Sequence, residues 1–307
     1  MKRVSLQLAA GIVFCLLIAA SASAQVARVF LAGTGSDAGD CTNQSTPCRS
    51  LQGAVTVCPV NGEIIILDNG GYGGATIDKS LTVNASAGVV AFIARTITVN
   101  IAATDKVVLR GLSMNGVVFG DLNGIAFTGG GTLVVENSII AGFGDGILQN
   151  AAGSNLIVNN CEIRSNGNGV RNASFSFTEK ANTVIENSRF EHNSYYGVNV
   201  IDGSSNVSIR NSAFANNFGG VRAYSNSQSQ PVLIVVDTCT IAHNTHGTEA
   251  AADATGSATI RVTSSTIYHN VDGMLYSGLG AAIQSYGNNR LTANTNNSTF
   301  SGTVPLQ

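Results

Sequence analysis

The sequence predicts an all-β fold, a parallel β-helix with three short strands in each of about nine coils. Three observations predict it: the composition, a repeat of fixed period, and an apolar alternation that breaks at one fixed position. The chain has 35 Gly but only four Pro and no Trp, beside many Val, Ile, Asn and Thr residues. Disordered chains lack such aliphatics, and helical chains lack this much Gly and Asn.

The first 24 residues have the pattern of a secretory signal peptide. A charged start is followed by an apolar run and by small residues at Ala22 and Ala24, which predicts cleavage before Gln25. No later segment approaches the roughly 18 uninterrupted apolar residues of a membrane span. We therefore expect a secreted or periplasmic mature protein without a transmembrane segment.

Residues 25–61 are predicted to cap the first coil. In "TPCRSLQGAVTVC", Thr46 is the expected helix cap and Pro47 the first helical residue. One face of this helix would carry apolar side chains, namely Leu51, Ala54, Val55 and Cys58. Such a helix would cover backbone groups and apolar residues that the end of a stack leaves open.

Cysteine usage agrees with export. Cys41 and Cys48 flank a turn-rich segment, which indicates a disulfide in an oxidising compartment. Cys58 is an alternative partner for either residue, because the mature chain has an odd number of cysteines.

Residues 62–307 are predicted to form the β-helix. Small residues recur at steps of 23 to 27 residues, and we call them the anchors of the repeat: Ser138, Cys161, Ser188, Ser212, Cys239 and Ser265. Apolar residues five and three positions before each anchor and two after it have the alternation of strands. The alternation skips one position just before the anchor, often at Asn, the non-glycine residue that best tolerates a left-handed bend.

A third strand follows a Gly in each repeat, as in "GILQ", "GVRN" and "GVNV". Three strands per repeat, each stacked on its copy at about 4.8 Å, give a parallel β-helix.

These residues resemble the right-handed parallel β-helix proteins of the pectate-lyase-like superfamily. The resemblance rests on the N-[SC]-x-[IF] phrase, a second recurring Asn and the Gly-aliphatic strand start, over Gly62 to Phe300. The segment from Gly33 to Gly74 is also similar to the opening of exported bacterial members without assigned activity. Members include lyases, hydrolases, epimerases and adhesive spikes, so the resemblance implies a fold and leaves function open.

The second recurring Asn has a structural interpretation. We expect Asn166, Asn193, Asn217, Asn244 and Asn270 to form a side-chain amide ladder between coils rather than a ligand site.

Candidate substrate-binding residues lie on the third strand, because polysaccharide enzymes of the superfamily usually bind along one strand face. Arg171, Asn199 and Arg222 are predicted to point outward on consecutive coils, with Tyr195 just before its strand. The paired N–H donors of a guanidinium group match the two oxygens of a uronate carboxylate.

Candidate catalytic residues are His246, Asp272 and Glu249. His246 and Asp272 share a register on adjacent coils, and Glu249 follows on the His246 strand. A histidine held by a carboxylate can act as a general base. The alternative is that these are ordinary polar residues of β-helix turns, since paired groups are often only structural.

The sequence does not predict a metal site. His243 and His269 are stacked, with His192 two coils away, but two neighbouring histidines lack a third ligand. Pectate-lyase relatives bind calcium through clustered carboxylates, so calcium is conceivable as a cofactor. Here Asp145 and Asp272 are five coils apart, and no cofactor is evident.

Two functions remain. The first is binding, with cleavage by a lyase or hydrolase activity, of a polysaccharide or cell-envelope glycan. The second is a non-catalytic scaffold or adhesion module, which short connecting loops and the absence of Trp favour. Nucleic-acid binding is not expected, because 16 basic residues face 18 acidic ones and no basic run occurs.

Overall fold

The computed structural model describes residues 27–174, 176, 179–201, 205–226, 231–253 and 255–305. The predicted signal peptide, residues 1–24, lies outside the described residues and stays a prediction. Within the described part of the chain, no helix is long and apolar enough to cross a membrane.

The chain winds into a right-handed β-helix of three parallel sheets, in which each strand pairs with its counterpart on the next coil. The first sheet contains β1 Arg28–Leu31, β2 Gly62–Ile66, β5 Leu81–Ala85, β8 Lys106–Arg110, β11 Thr132–Glu136, β14 Asn155–Asn159, β17 Ala181–Glu186, β20 Ser205–Arg210, β23 Val232–Asp237, β26 Ala258–Thr263, β29 Ala281–Ser285 and β31 Gly302–Thr303. The second sheet contains β3 Gly70–Gly71, β6 Ala91–Ile93, β9 Leu112–Asn115, β12 Ile139–Ala141, β15 Glu162–Arg164, β18 Arg189–Glu191, β21 Ala213–Ala215, β24 Thr240–Ala242, β27 Thr266–Tyr268 and β30 Arg290–Thr292. The third sheet contains β4 Ala75–Ile77, β7 Ile97–Val99, β10 Asn123–Phe127, β13 Asp145–Gln149, β16 Asn168–Asn172, β19 Tyr196–Ile201, β22 Gly219–Ser225, β25 His246–Ala252 and β28 Asp272–Ser277.

The core fills the inside of the coils. Alternate residues of the first sheet point inward, so Leu133 and Val135 are fully buried and stack on Leu156 and Val158 of the next coil. Burying each such side chain contributes about 1.5 to 3 kcal/mol. The apolar residues of the repeated motif therefore pack the core of the β-helix.

The predicted bend between the first and second sheets is confirmed. The residue before each anchor has a left-handed φ between 48° and 53°, at Asn137, Asn160, Asn187, Asn211, Thr238 and Ser264. One bent residue turns the next strand so that its alternate side chains again point inward.

The amide ladder is also present. Asn166, Asn193, Asn217, Asn244 and Asn270 are buried, and each Nδ2 donates to the Oδ1 of the next asparagine at 2.9 to 3.3 Å. The ladder continues into Asn294. These side chains use their amide groups to join the coils and leave few hydrogen-bond donors or acceptors for a ligand.

The cap helix begins later than the sequence indicates. Helix α1 spans Leu51–Val57, and Ser50 rather than Thr46 is its N-cap, accepting from the Gly53 N–H at 3.0 Å. The reason is that Cys48 is extended beside β1, where its N–H donates to the Phe30 carbonyl at 2.8 Å. This pairing outweighs the local preference of Pro47 for a helix start.

The Cys41–Cys48 disulfide is confirmed, and Cys58 is a free, buried thiol. The predicted cap segment also supplies β1, which pairs with β2 in the first sheet. The boundary between residues 25–61 and 62–307 therefore stays a prediction about domain organisation, since one sheet runs across it.

Candidate functional site

Outward side chains of the third sheet form the surface that we call the third-sheet face. The predicted register is correct, because Leu148, Arg171, Asn199, Arg222 and Glu249 pair in that order on successive strands. A Gly near the start of each of these strands, which we call the strand Gly, follows a second residue on this face. These residues are Asp145, Asn168, Tyr196, His246 and Asp272. The third-sheet face runs over the six coils from β13 to β28.

Arg222, Glu249 and Tyr196 form one cluster at the middle of the face. Arg222 Nε donates to Glu249 Oε1 at 3.0 Å, and the Tyr196 hydroxyl donates to the other carboxylate oxygen. The Arg222 guanidinium lies 5.4 Å from the centre of the Tyr196 ring. The side chains of Arg222 and Glu249 are only 25% and 13% exposed. This is a fixed, partly buried ion pair rather than a mobile surface pair.

Burial raises the pKa of the Tyr196 hydroxyl well above its ordinary value, and the hydrogen bond to the Glu249 carboxylate raises it further. The neutral phenol is therefore the stable form at physiological pH. Tyr196 acts in this cluster as a hydrogen-bond donor.

His246 and Asp272 are brought together as predicted. His246 Nδ1 lies 3.0 Å from Asp272 Oδ2, within ion-pair distance, although the direction of the ring nitrogen does not make a hydrogen bond. The other oxygen of Asp272 accepts from Asn296 Nδ2 at 2.7 Å, which fixes the carboxylate. Glu249 makes no hydrogen bond or ion pair with His246 among the described residues. Of the three predicted catalytic residues, His246 and Asp272 therefore form a pair, whereas Glu249 belongs to the cluster with Arg222 and Tyr196.

Phe218 connects these two groups. Its ring packs edge-on against the Tyr196 ring, with 5.7 Å between centres, and against the His246 ring, with 4.9 Å. Phe218 is 42% exposed and precedes the strand Gly219. It supplies an aromatic surface that sequence reasoning did not identify, although its place before a Gly-initiated strand is the signal that could have found it.

A third group surrounds Arg171. Arg171 Nη1 pairs with the buried Asp145 carboxylate at 3.3 Å, and Asn168 Nδ2 donates to the same carboxylate at 2.8 Å. Asn199 Nδ2 donates to Asn168 Oδ1 at 3.0 Å. Asn199 Oδ1 is buried and has no hydrogen-bond partner among the described residues. Asp145 is thus the residue that holds Arg171, a role that the sequence did not assign.

Tyr195 lies just before its strand, as predicted, but it is out of register with the equivalent residues of the other coils. The coil contains one extra residue between Asn193 and Gly197, so Tyr196, and not Tyr195, pairs with Gly219 at the outward position. Tyr195 lies in the preceding turn and is 60% exposed. Counting back from the Gly instead of forward from the anchor would have identified Tyr196.

The face carries two arginines, Arg171 and Arg222, and three carboxylates, Asp145, Glu249 and Asp272. Both arginines are paired with carboxylates of the same face, and Asp272 lies beside His246. Among the described residues, no group of three or more His, Cys, Asp or Glu side chains is arranged to hold a metal ion. The arrangement combines guanidinium donors, amides, a His-Asp pair and the exposed Phe218 ring, which can bind hydroxyl and carboxylate groups and move a proton.

Comparison with known proteins assigns the family. Residues 62–233 and 123–304 match the family model described as a right handed beta helix region. The chain belongs to this family. Among solved structures it is similar to the pectate lyase Pel9A, with a TM-score of 0.61, 16% identity, and 91% of this chain and 80% of that chain covered.

It is also similar to the A-module of the mannuronan C-5 epimerase AlgE6 of Azotobacter vinelandii, with a TM-score of 0.50, 13% identity, and 84% of this chain and 95% of that chain covered. At these identities the likeness is one of fold, and it confirms the pectate-lyase-like architecture. No curated protein sequence matches the chain. The disulfide and these neighbours are consistent with an extracellular location.

Proposed function

We propose that the mature protein is exported and binds polysaccharide along the third-sheet face, where His246 takes part in cleavage of the bound chain. The observation that carries this proposal is the strip of polar and aromatic side chains that continues over six coils, from Asp145 to Asp272. A strip of this shape suits an extended polymer better than a compact ligand.

The arginines support an acidic polysaccharide. Arg222 uses Nε for Glu249, and Arg171 uses Nη1 for Asp145, which leaves guanidinium donors on each for a ligand. The two residues lie two coils apart, roughly 9.6 Å at the usual strand spacing. That span is comparable to a disaccharide unit, so both arginines can contact carboxylates of one chain.

Cleavage would depend on His246 as the base, with the Asp272 carboxylate 3.0 Å from its Nδ1 to stabilise the protonated ring. Glu249, the third predicted catalytic residue, is bound by Arg222 and Tyr196, so we assign to it the positioning of these two side chains. Pectate and mannuronan, the polymers in the names of the two solved neighbours, are polysaccharides, which favours this class of ligand.

The alternative is a non-catalytic scaffold or adhesion module. It is favoured by the pairing of both arginines of the face with carboxylates, and by a groove of about 630 Å³ that Arg110, Asn137 and Asn160 line on another side of the β-helix. A flat and internally paired face can serve adhesion as well as catalysis.

The test is incubation of the purified protein with acidic and neutral polysaccharides, with and without calcium, followed by detection of unsaturated uronates and new reducing ends. We expect product with an acidic polymer, and its loss in His246→Ala but not in His192→Asn. Binding without product would support the adhesion module. Product that persists in His246→Ala would contradict the assignment of the base.

A further inference from the structure

A second histidine pair lies away from the third-sheet face, in the turns that lead from the second sheet to the third. His243 follows β24 and His269 follows β27 on the next coil. Both side chains are exposed. Their rings are stacked, with centres 5.5 Å apart and planes within 13° of parallel.

The backbone holds both histidines in the same way. His243 and His269 have left-handed φ values of 58° and 52°, and Ser165, His192, Asn216 and Ala293 have the same conformation at this position of other coils. Two side chains that leave equivalent backbone positions on stacked coils point in the same direction. The Tyr268 ring packs edge-on against both imidazoles, with centres 6.1 and 5.1 Å away.

The pair is also accessible. His243 and His269 line a groove of about 360 Å³ with Val271 and Thr295, and one of about 430 Å³ with Asn216 and Thr245. Neither imidazole makes a hydrogen bond or an ion pair within the described part of the chain. Their nitrogens are therefore available to a ligand from solution.

We propose that His243 and His269 bind a divalent transition-metal ion through one nitrogen of each imidazole, with solvent in the remaining positions. Because the nitrogen lone pairs of stacked parallel rings do not converge, binding requires the two exposed rings to rotate out of the stack until one nitrogen of each faces the ion. Imidazole suits copper, zinc and nickel, whereas calcium prefers oxygen ligands. Among the described residues, no third His, Cys, Asp or Glu side chain joins the pair to impose a coordination geometry. The affinity should therefore follow the general order for these ions, in which Cu²⁺ exceeds Ni²⁺ and Zn²⁺. This site is independent of the proposed polysaccharide binding.

The test is titration of the purified protein with Cu²⁺, Ni²⁺, Zn²⁺ and Ca²⁺ by calorimetry at about pH 7.5. The variants are His243→Asn and His269→Asn, because Asn216 already has the same backbone conformation on the neighbouring coil. His192→Asn is the matched control, since His192 is equally exposed but its stacked neighbours at this position are Ser165 and Asn216.

We expect one Cu²⁺ per chain, weaker binding of Ni²⁺ and Zn²⁺, and no heat with Ca²⁺. Each single variant of the pair should weaken Cu²⁺ binding by roughly tenfold or more, while His192→Asn retains it. Electron paramagnetic resonance of the Cu²⁺ complex should show two nitrogen ligands in the original protein and one or none in the variants. Cu²⁺ binding that survives in both variants, or that is lost in His192→Asn, would overturn the proposal, and so would the absence of binding.

Discussion

Tyr196 connects the charged cluster of the third-sheet face to its aromatic surface. Its hydroxyl donates to Glu249, its ring lies beside the Arg222 guanidinium, and its edge contacts Phe218. Because the side chain is buried and bonded to a carboxylate, the pKa of its hydroxyl is raised. The properties of this one residue therefore affect both the stability of the protein and the shape of the face.

Alkaline stability tests this arrangement. A raised folded-state pKa means that the folded protein holds the phenolic proton more tightly, so this contribution is complete below the unfolded value of about 10 and is lost as pH rises above it. At pH 8, Tyr196→Phe should lower the free energy of unfolding by about 1 kcal/mol, because a hydrogen bond is lost. Between about pH 8 and about pH 11, the free energy of unfolding should then fall by less in Tyr196→Phe than in the original protein. Urea unfolding at both pH values measures this.

Tyr195→Phe is the control, since Tyr195 lies in the adjacent turn and is largely exposed. Part of the alkaline loss should remain in Tyr196→Phe, because burial and the Asp68 carboxylate also raise the pKa of Tyr72. An equal loss in the original protein and in Tyr196→Phe would show that the Tyr196 hydroxyl is not held as described.

Register could be predicted for most of the face because the spacing from the strand Gly to the outward residue is constant. Arg171, Asn199, Arg222 and Glu249 were placed correctly for that reason. Tyr195 was not, since one inserted residue moves Tyr196 into its position. Repeat counting places backbone positions and does not choose which carboxylate an arginine will contact.

The turns between strands are stabilised by the buried asparagine ladder. Asn217 occupies its middle, where Nδ2 donates to the Phe190 carbonyl at 3.0 Å and to Asn244 Oδ1 at 3.0 Å. Asn217 Oδ1 accepts from the Asn193 backbone at 3.0 Å and side chain at 2.9 Å. Removing this amide leaves several buried groups on both neighbouring coils without partners.

Asn217→Ala should therefore lower the free energy of unfolding by about 2 to 4 kcal/mol. The control is Asn182→Ala, because Asn182 also donates to an asparagine of the adjacent coil, at 3.1 Å to Asn155 Oδ1, but is exposed. That control should change stability by less than about 0.5 kcal/mol. Equal effects in chemical denaturation would mean that burial of the ladder is not what makes it stabilising.

The cap shows where local sequence signals are insufficient. Thr46 and Pro47 have the chemistry of a helix start, and yet the chain there pairs with β1, so the helix begins after Ser50. The pairing partner lies more than fifteen residues earlier in the chain. Helix propensity cannot report a contact at that distance, whereas the disulfide could be predicted because Cys41 and Cys48 are close in sequence.

The whole molecule is a stack in which each coil contacts mainly its neighbours. The first sheet continues from β1 to β31 without interruption, and β29 belongs to it. The stability of such a stack is approximately the sum of the intrinsic stabilities of the coils and of the interactions between neighbouring coils. Outward residues can therefore be changed on one sheet without disturbing the other two.

That independence permits a direct comparison of arginines on different sheets. Arg222 lies on the third-sheet face, whereas Arg210 points outward from the first sheet, where it makes a long ion pair of 3.8 Å with Glu186. Both are arginines paired with a glutamate, and only one lies on the proposed binding face.

The measurement that tests the account most directly is the affinity of an acidic polysaccharide for the original protein, Arg222→Gln and Arg210→Gln, by affinity electrophoresis and calorimetry. We predict that Arg222→Gln weakens binding by roughly tenfold, about 1.4 kcal/mol, while Arg210→Gln leaves it unchanged and both variants keep the β-sheet circular dichroism of the original. Equal affinities in the two variants, or no binding by the original protein, would contradict the third-sheet face as a polysaccharide site.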